Sequence, residues 1–429
     1  MTEPVITSFL DTDMYKLTMH AAVYKNFPTA EVTYKYTNRS EDMKFNQEAI
    51  QWLKFQFQSL SSLRFLEDEI EYLRNAIPYL SKDYLNYLAS DEVKMNPSEQ
   101  IEFNVLETNQ EGHYDLEINI NGLWKDTILY EIPILALVSE AYFKFVDTDW
   151  SYDGQIESAF RKAEQLLEHN ILFSEFGTRR RRSFKTQDLV MQGIMKATES
   201  RSERPSGLFL GTSNVLFAKK YGVKPIGTVA HEWMMGIASI TGDYLHANQK
   251  AMDCWIGTFG PQNAGLALTD TFGTDDFLRS FHPPYSDCYI GVRQDSGDPV
   301  EYTKKISHHY LDVLKLKPLS KIICYSDSLN PEKAIRYANV AYDYGLKPTF
   351  GIGTNFTNDF KSKSNPERKS EPLNIVIKLL EVNGNHSIKI SDNLGKNMGD
   401  PKTVEKVKEK LGYTEKSWIG DNEAHRWAS

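Results

Sequence analysis

The 429-residue sequence contains three cysteines, Cys254, Cys288 and Cys324, all far apart in the chain. Such spacing excludes a disulfide framework and a thiolate zinc site, so they read as reduced thiols in apolar surroundings. Long apolar runs are also missing: none approaches the roughly 18 to 20 residues that span a bilayer, so no membrane partner is expected. The opening Met1-Thr2-Glu3-Pro4 has neither the basic start nor the apolar core of a secretory signal, which points to the cytosol and leaves nuclear entry open. An excess of positive charge is absent too. With 49 Lys and Arg against 58 Asp and Glu, the net charge is -9, and no global cationic field exists to recruit a nucleic acid. The chain lacks a G-x-x-x-x-G-K-[ST] loop and a G-x-G-x-x-G turn after a strand. It also lacks H-x-H or H-E-x-x-H metal pairs and a G-x-S-x-G elbow, so the usual nucleotide loops, hydrolytic zinc and the hydrolase nucleophile are excluded.

What is present is globular: 41% hydrophobic, 12% aromatic and 25% charged residues. The length fits one large α/β barrel with additions, or two to three units. The first part, residues 1–150, mixes patterns. Val32 to Tyr36 alternates as a strand, while Glu48 to Phe57 and Glu67 to Ala76 carry helical periodicity. Glu102 to Val105 and His113 to Ile120 read as strands, with Asn121-Gly122 as a hairpin turn, and a helix is predicted over Pro133 to Phe145.

From residue 151 to 382 the rhythm changes to seven short apolar runs, each followed by a helical stretch. They are 171–173, 208–210, 225–226, 266–268, 289–292, 322–325 and 349–352. Strand-then-helix units at this spacing predict a closed or nearly closed parallel barrel, with an open doubly wound sheet as the alternative. Polar residues fall at the C-terminal end of nearly every run, where barrels assemble their sites, and this favours the barrel. The polar stretch Lys361 to Glu371 directly follows a strand end and reads as a solvated loop or as a lid over phosphates. Residues 383–429 form a charged, partly helical segment whose Trp418 and Trp427 suggest packing back onto the body, against the N-terminal domain.

Several strand ends carry residues suited to chemistry. His231, in Gly227-Thr-Val-Ala-His231, could serve as base, ligand or nucleophile toward phosphorus, or as a hydrogen-bonded core histidine. Arg179 opens a run of four arginines; such runs are commonly solvated faces, yet Arg179 lies nearest the strand, where a guanidinium meets phosphate or carboxylate in bidentate fashion. In Gly291-Val-Arg-Gln-Asp-Ser-Gly297, Arg293 suits an anion and Asp295 suits ribose hydroxyls or a metal-bound group. Gly211-Thr-Ser-Asn214 and Gly351-Ile-Gly-Thr-Asn355 are short loops leading toward helices, whose backbone N–H groups can form anion sites or simple caps.

Taken in order, Thr12-Asp-Met-Tyr-Lys16, Glu175-Phe-Gly-Thr-Arg-Arg180, Gly211-Thr-Ser-Asn214, Gly227-Thr-Val-Ala-His231, Val292-Arg-Gln-Asp-Ser-Gly-Asp298 and Phe350-Gly-Ile-Gly-Thr354 resemble the nicotinate phosphoribosyltransferases, most closely the fungal and bacterial form. The resemblance implies an α/β fold: an irregular parallel barrel with an N-terminal α+β domain completed by C-terminal residues. It implies that nicotinate and phosphoribosyl pyrophosphate give nicotinate mononucleotide and pyrophosphate, with ATP hydrolysed alongside, Mg²⁺ as metal and no permanently bound cofactor. By the same resemblance, His231 is the histidine phosphorylated by ATP. Tyr15, supplied by a neighbouring subunit of a homodimer with shared active sites, would sandwich the pyridine ring with Phe176. Thr228 and Arg293 would contact the ring and its carboxylate, with Arg179 nearby; on physical grounds Arg179 suits neutralising the leaving group. Gly353 and Thr354 would hold the ribose phosphate, with Asp295 and Asp327 as ribose-side acids. Ser213 stands where the nicotinamide-using relatives carry an aspartate, which favours the acid as substrate. Two rival readings remain at this point: a nicotinamide phosphoribosyltransferase, and a non-catalytic barrel that binds a phosphorylated metabolite.

Overall fold

The computed structural model describes residues 3–200, 208–393 and 396–414. The chain begins with a helix, Met14–Asn26, buried along most of its length, and then enters strand β1, Glu31–Asn38. Val32, Tyr34 and Tyr36 of β1 all point into the core, as period-two alternation requires. Helices Gln47–Ser59 and Glu67–Ala76 follow where their apolar spacing places them. Strands β2, Ile101–Glu107, and β3, Tyr114–Leu123, pair antiparallel.

Their turn lies between residues 107 and 114, not at Asn121-Gly122. Those two residues belong to β3 and pair with Thr33 and Val32 of β1. The Asn-Gly signal is local, and a long-range ladder overrides it here. Helix Glu131–Phe145, apolar on nearly every side and mostly buried, closes this part.

Six parallel strands then form the second sheet: β4 Phe173–Glu175, β5 Phe209–Thr212, β6 Leu266–Leu268, β7 Gly291–Gln294, β8 Ile322–Tyr325 and β9 Lys347–Ile352. Their order is β5-β4-β9-β8-β7-β6. The seventh expected run, Pro225-Ile226, makes a single parallel bridge to Thr212. Proline has no N–H to extend a ladder, so the barrel is irregular on that side. The architecture is thus the expected irregular parallel barrel.

The polar stretch after β9 forms a small hairpin of β10, Phe360–Lys361, and β11, Lys369–Ser370. It is tethered to the preceding unit: Ser364 donates to Asp149 at 2.6 Å and Ser370 to Asp147 at 2.6 Å. The chain then returns to the first sheet. Strand β12, Ile375–Val382, pairs antiparallel along β1, and β13, Asn385–His386, adds to its edge. C-terminal residues therefore complete the N-terminal sheet, and the return begins at Ile375, within the stretch read from sequence as barrel. From Lys389 onward the path is different: Tyr413 donates to the Ser391 carbonyl and Arg279, on the barrel, to that of Leu411. Helix Pro401–Leu411 is thereby held against the barrel. Trp418 and Trp427 lie outside the described residues.

The joint between the two units positions the future site. Helix His231–Thr241 packs so closely on Trp124 that a methyl group on Gly236 would fall 2.3 Å from the indole. Its second residue, Glu232, accepts from Trp124 Nε1 at 2.7 Å and Tyr34 Oη at 2.5 Å, and pairs with buried Lys16. A buried polar network of this kind has little freedom to shift, because every member is already satisfied.

Candidate active site

The barrel strands end on a cavity of about 660 Å³. Ten of the eleven residues singled out from sequence line it; Asp327 does not. The walls divide into an aromatic part, a guanidinium part and a histidine cluster.

Phe176 follows β4, its backbone N–H donating to Ile352 at 2.8 Å. Its ring lies against Gly351, where a Cβ would stand 2.3 Å from two ring carbons. Only glycine leaves room for the ring at that point of the barrel wall. Tyr15, at the start of the first helix, lines the same cavity of its own chain.

The four arginines have separate fates. Arg181 makes a bidentate pair with Asp11 at 2.8 Å and is fully buried. Arg182 lies 3.6 Å from the Phe143 ring centroid and donates to Asn358 and Ser370. Arg180 donates to Asn374 and the Ile375 carbonyl. Arg179 alone keeps an accessible guanidinium, 44% exposed and 3.7 Å from Glu131, which also holds Lys16 at 2.5 Å. The run is therefore three structural cations and one available to a ligand.

Arg293 reaches across from β7 to donate to Thr228 Oγ1 at 3.0 Å and the Val229 carbonyl at 3.1 Å. Its Nε is buried without a partner, a donor left for something else. Ser213 donates to Asp13 at 2.7 Å, so a buried carboxylate already stands beside it. Burial pushes the Asp13 carboxyl above its ordinary value, against the hydrogen bond from Ser213 and the charge of Arg179. Gly353 and Thr354 begin the short turn after β9 at one end of the cavity. Asp327 instead receives Lys396 Nζ at 2.7 Å.

His231 opens its helix and faces three charged groups. Nδ1 lies 2.9 Å from Thr271 Oγ1, and Nε2 lies 3.0 Å from Asp295 Oδ2, 2.9 Å from Lys389 Nζ and 3.5 Å from Asp270 Oδ1. Burial, helped by Lys389, holds the imidazole below its ordinary pKa although both carboxylates pull the other way. Burial alone would raise Asp295, but the close contact with His231 and the charges of Arg293 and Lys389 hold it well below the carboxylate range.

Among the described residues, His231, Asp270 and Asp295 are the group whose ligand atoms converge closely enough for a metal. They do not fit a resident Mg²⁺. An ammonium already stands in the cluster, 3.6 Å from Asp270 Oδ2, and magnesium prefers near-octahedral oxygen ligands.

The sequence reading missed Lys389, Lys396, Asp270 and Thr271. Asp270 and Thr271 follow the end of β6, so the strand-end rule that marked His231 could have found them. The two lysines carry no such mark, because they come from a charged C-terminal segment and enter the site only through the fold.

A parallel barrel whose strand ends present aromatic rings, guanidinium groups and a partly buried, neutral histidine defines a site for a flat anion and a phosphorylated partner. Residues 171–415 match the model of the nicotinate phosphoribosyltransferase (NAPRTase) family, and residues 10–139 match the NAPRTase N-terminal domain. The nicotinate phosphoribosyltransferase of Saccharomyces cerevisiae is 71% identical over 428 residues, covering 100% of both chains. A crystal structure from the same organism superposes with a TM-score of 0.96 at 70% identity, covering 96% of this chain and 100% of that one. The nicotinate phosphoribosyltransferase structure from Porphyromonas gingivalis gives a TM-score of 0.85 at 34% identity, covering 95% and 100%. The chain belongs to the nicotinate phosphoribosyltransferase family.

Proposed function

We propose that this chain transfers the phosphoribosyl group of phosphoribosyl pyrophosphate to nicotinate, giving nicotinate mononucleotide and pyrophosphate, and couples the transfer to ATP through His231. The observation that carries this reading is the convergence on one cavity of the Phe176 ring, the Arg293 guanidinium and the His231 cluster. A pyridine carboxylate needs a flat apolar wall and a cation: Phe176 and Tyr15 supply the first, Arg293 and Thr228 the second. In the transfer, the bond from the anomeric carbon to the pyrophosphate oxygen breaks and a bond to the pyridine nitrogen forms. Charge collects on the leaving oxygens, where Arg179 stabilises it, and Gly353 and Thr354 hold the ribose phosphate. Asp295 serves the ribose side, and Asp327 acts from behind through Lys396. Mg²⁺ would be held through the substrate phosphates, since the His231 cluster does not fit it.

A neutral imidazole is the form that can attack phosphorus, and burial keeps His231 in that form. Phosphorylated and free His231 bind the substrates unequally, which lets ATP hydrolysis drive the equilibrium. The charge and fold suit a soluble cytosolic protein; among the described residues no helix is long and apolar enough to cross a membrane.

The test is intact mass after incubation with ATP, which should reveal an acid-labile phosphate absent from His231→Ala. The variant should lose ATP hydrolysis and bind substrates less tightly while still forming some product without ATP. Equal ATPase activity in variant and parent would refute the coupling role, and a clear preference for nicotinamide over nicotinate would refute the substrate.

A further inference from the structure

The charges around His231 arrive from different parts of the chain. Asp270 and Asp295 follow barrel strands, whereas Lys389 comes from the segment after β13, 158 residues beyond the histidine. Its backbone is fixed: Lys389 and Met398 exchange N–H···O bonds of 3.0 and 2.8 Å, and the next residue, Ile390, donates to the Thr271 carbonyl at 2.8 Å. The ammonium, on a residue only 5% exposed, is thus held in place against the ring.

Nε2 can accept a hydrogen bond from Lys389 or donate one to Asp295, but not both. If it accepts, the ring proton sits on Nδ1 and is donated to Thr271 Oγ1. If it donates, an ammonium faces an N–H at 2.9 Å; if it accepts, the Asp295 carboxylate faces the lone pair at 3.0 Å, an opposition that Arg293 beside Asp295 eases. The groups facing the ring are Asp270, Asp295 and Lys389, with Arg293 behind Asp295 at 3.9 Å and Asp392 beside Asp270. The two nearest carboxylates would repel any approaching phosphate; Lys389 and Arg293 offset them.

We propose that Lys389 is a positioning residue for His231: its ammonium holds the ring as the Nδ1–H tautomer, leaves the Nε2 lone pair as the reactive atom, and offsets the carboxylates so that a phosphate donor can approach. The chemical consequence rests on the ATP-coupled reading of His231; the tautomer rests on the Lys389 contact prevailing over that of Asp295. In the covalent step an N–P bond forms at Nε2 as the P–O bond to the leaving nucleoside diphosphate breaks. The Nδ1 proton stays, and the positive charge gained by the ring is met by Asp270 and Asp295. Lys389 passes from the lone pair to the phosphoryl oxygens.

The test uses the full chain labelled with ¹⁵N-histidine, with His231 assigned by its loss in His231→Ala. Long-range ¹H–¹⁵N spectra at neutral pH should show a bare Nε2 and a protonated Nδ1 in the parent. Lys389→Met should move the proton to Nε2, while Lys389→Gln, which can still donate, should keep the parent tautomer. A protonated Nε2 in the parent overturns the proposal, as does an unchanged tautomer in a Lys389→Met protein that melts like the parent. After incubation with ATP, the acid-labile phosphate on His231 should fall about 10- to 100-fold in Lys389→Met, the worth of a charge-assisted hydrogen bond, and recover partly in Lys389→Arg. Labelling at the parent level in Lys389→Met overturns the charge-offsetting part. A parent that takes no phosphate refutes the ATP reading, and the tautomer result then decides Lys389 separately.

Discussion

A single methyl group at position 351 tests the aromatic wall of the cavity. In Gly351→Ala the new Cβ would lie 2.3 Å from Cδ2 and Cε2 of Phe176, whereas non-bonded carbons rest at about 3.5–4.0 Å. The ring has to yield, because Gly351 is held in β9 and the Phe176 backbone is tied to Ile352. Overpacking of this kind costs about 1–3 kcal/mol of stability. A ring tilted out of plane also loses its stacking on a bound pyridine, about 0.5–1.5 kcal/mol, which corresponds to a rise of about 2- to 13-fold in KM for nicotinate. The assay is initial-rate kinetics with each substrate varied in turn. The nicotinate KM should rise while that for phosphoribosyl pyrophosphate changes little. In a Phe176→Leu background the effect of Gly351→Ala on the nicotinate KM should shrink, because the two residues share one contact. An unchanged nicotinate KM in a measurably destabilised Gly351→Ala protein would remove Phe176 from the binding wall. No change in either quantity would refute the packing itself.

Two further perturbations address charge. Ser213→Asp places a second carboxylate beside buried Asp13 and removes the hydroxyl that now donates to it; nicotinate use should fall far more than nicotinamide use, and equal losses would detach Ser213 from specificity. Burial, then the nearby Asp270, pushes the Asp392 carboxyl up to about 6. A carboxyl raised in the folded state adds stability that is full below about pH 4 and is lost as pH rises through about 6. Denaturant titrations at pH 5 and pH 8 should therefore show a larger loss for the parent than for Asp392→Asn, and equal losses would contradict that shift.

Much of the fold was legible because it depends on periodicities that need no partner. The alternation of Val32, Tyr34 and Tyr36 and the helical spacing of Glu67 to Ala76 reappear in the structure at their predicted places. The misreadings share a cause. Asn121-Gly122 has the chemistry of a turn, yet β1 recruits it into a ladder. Leu373 to Leu380 reads as one more apolar run, and only the pairing of Ile375–Val382 with β1 assigns it to the first sheet. Neighbours in space, not in sequence, decided these cases.

The site divides in the same way. Sequence alone determined the fold class and which strand ends bear chemistry, because side chains at the C-terminal ends of parallel strands share one face whatever the detailed packing. It placed His231, Arg293 and Asp295 within reach of a common ligand. Only the tertiary structure decided which of four adjacent arginines is accessible, since three find carboxylate, amide, carbonyl or ring partners elsewhere in the chain. It alone also brought Lys389 from the C-terminal segment to the imidazole. The protonation state of a buried histidine depends on every charge within a few ångströms, and those charges lie far from His231 along the chain.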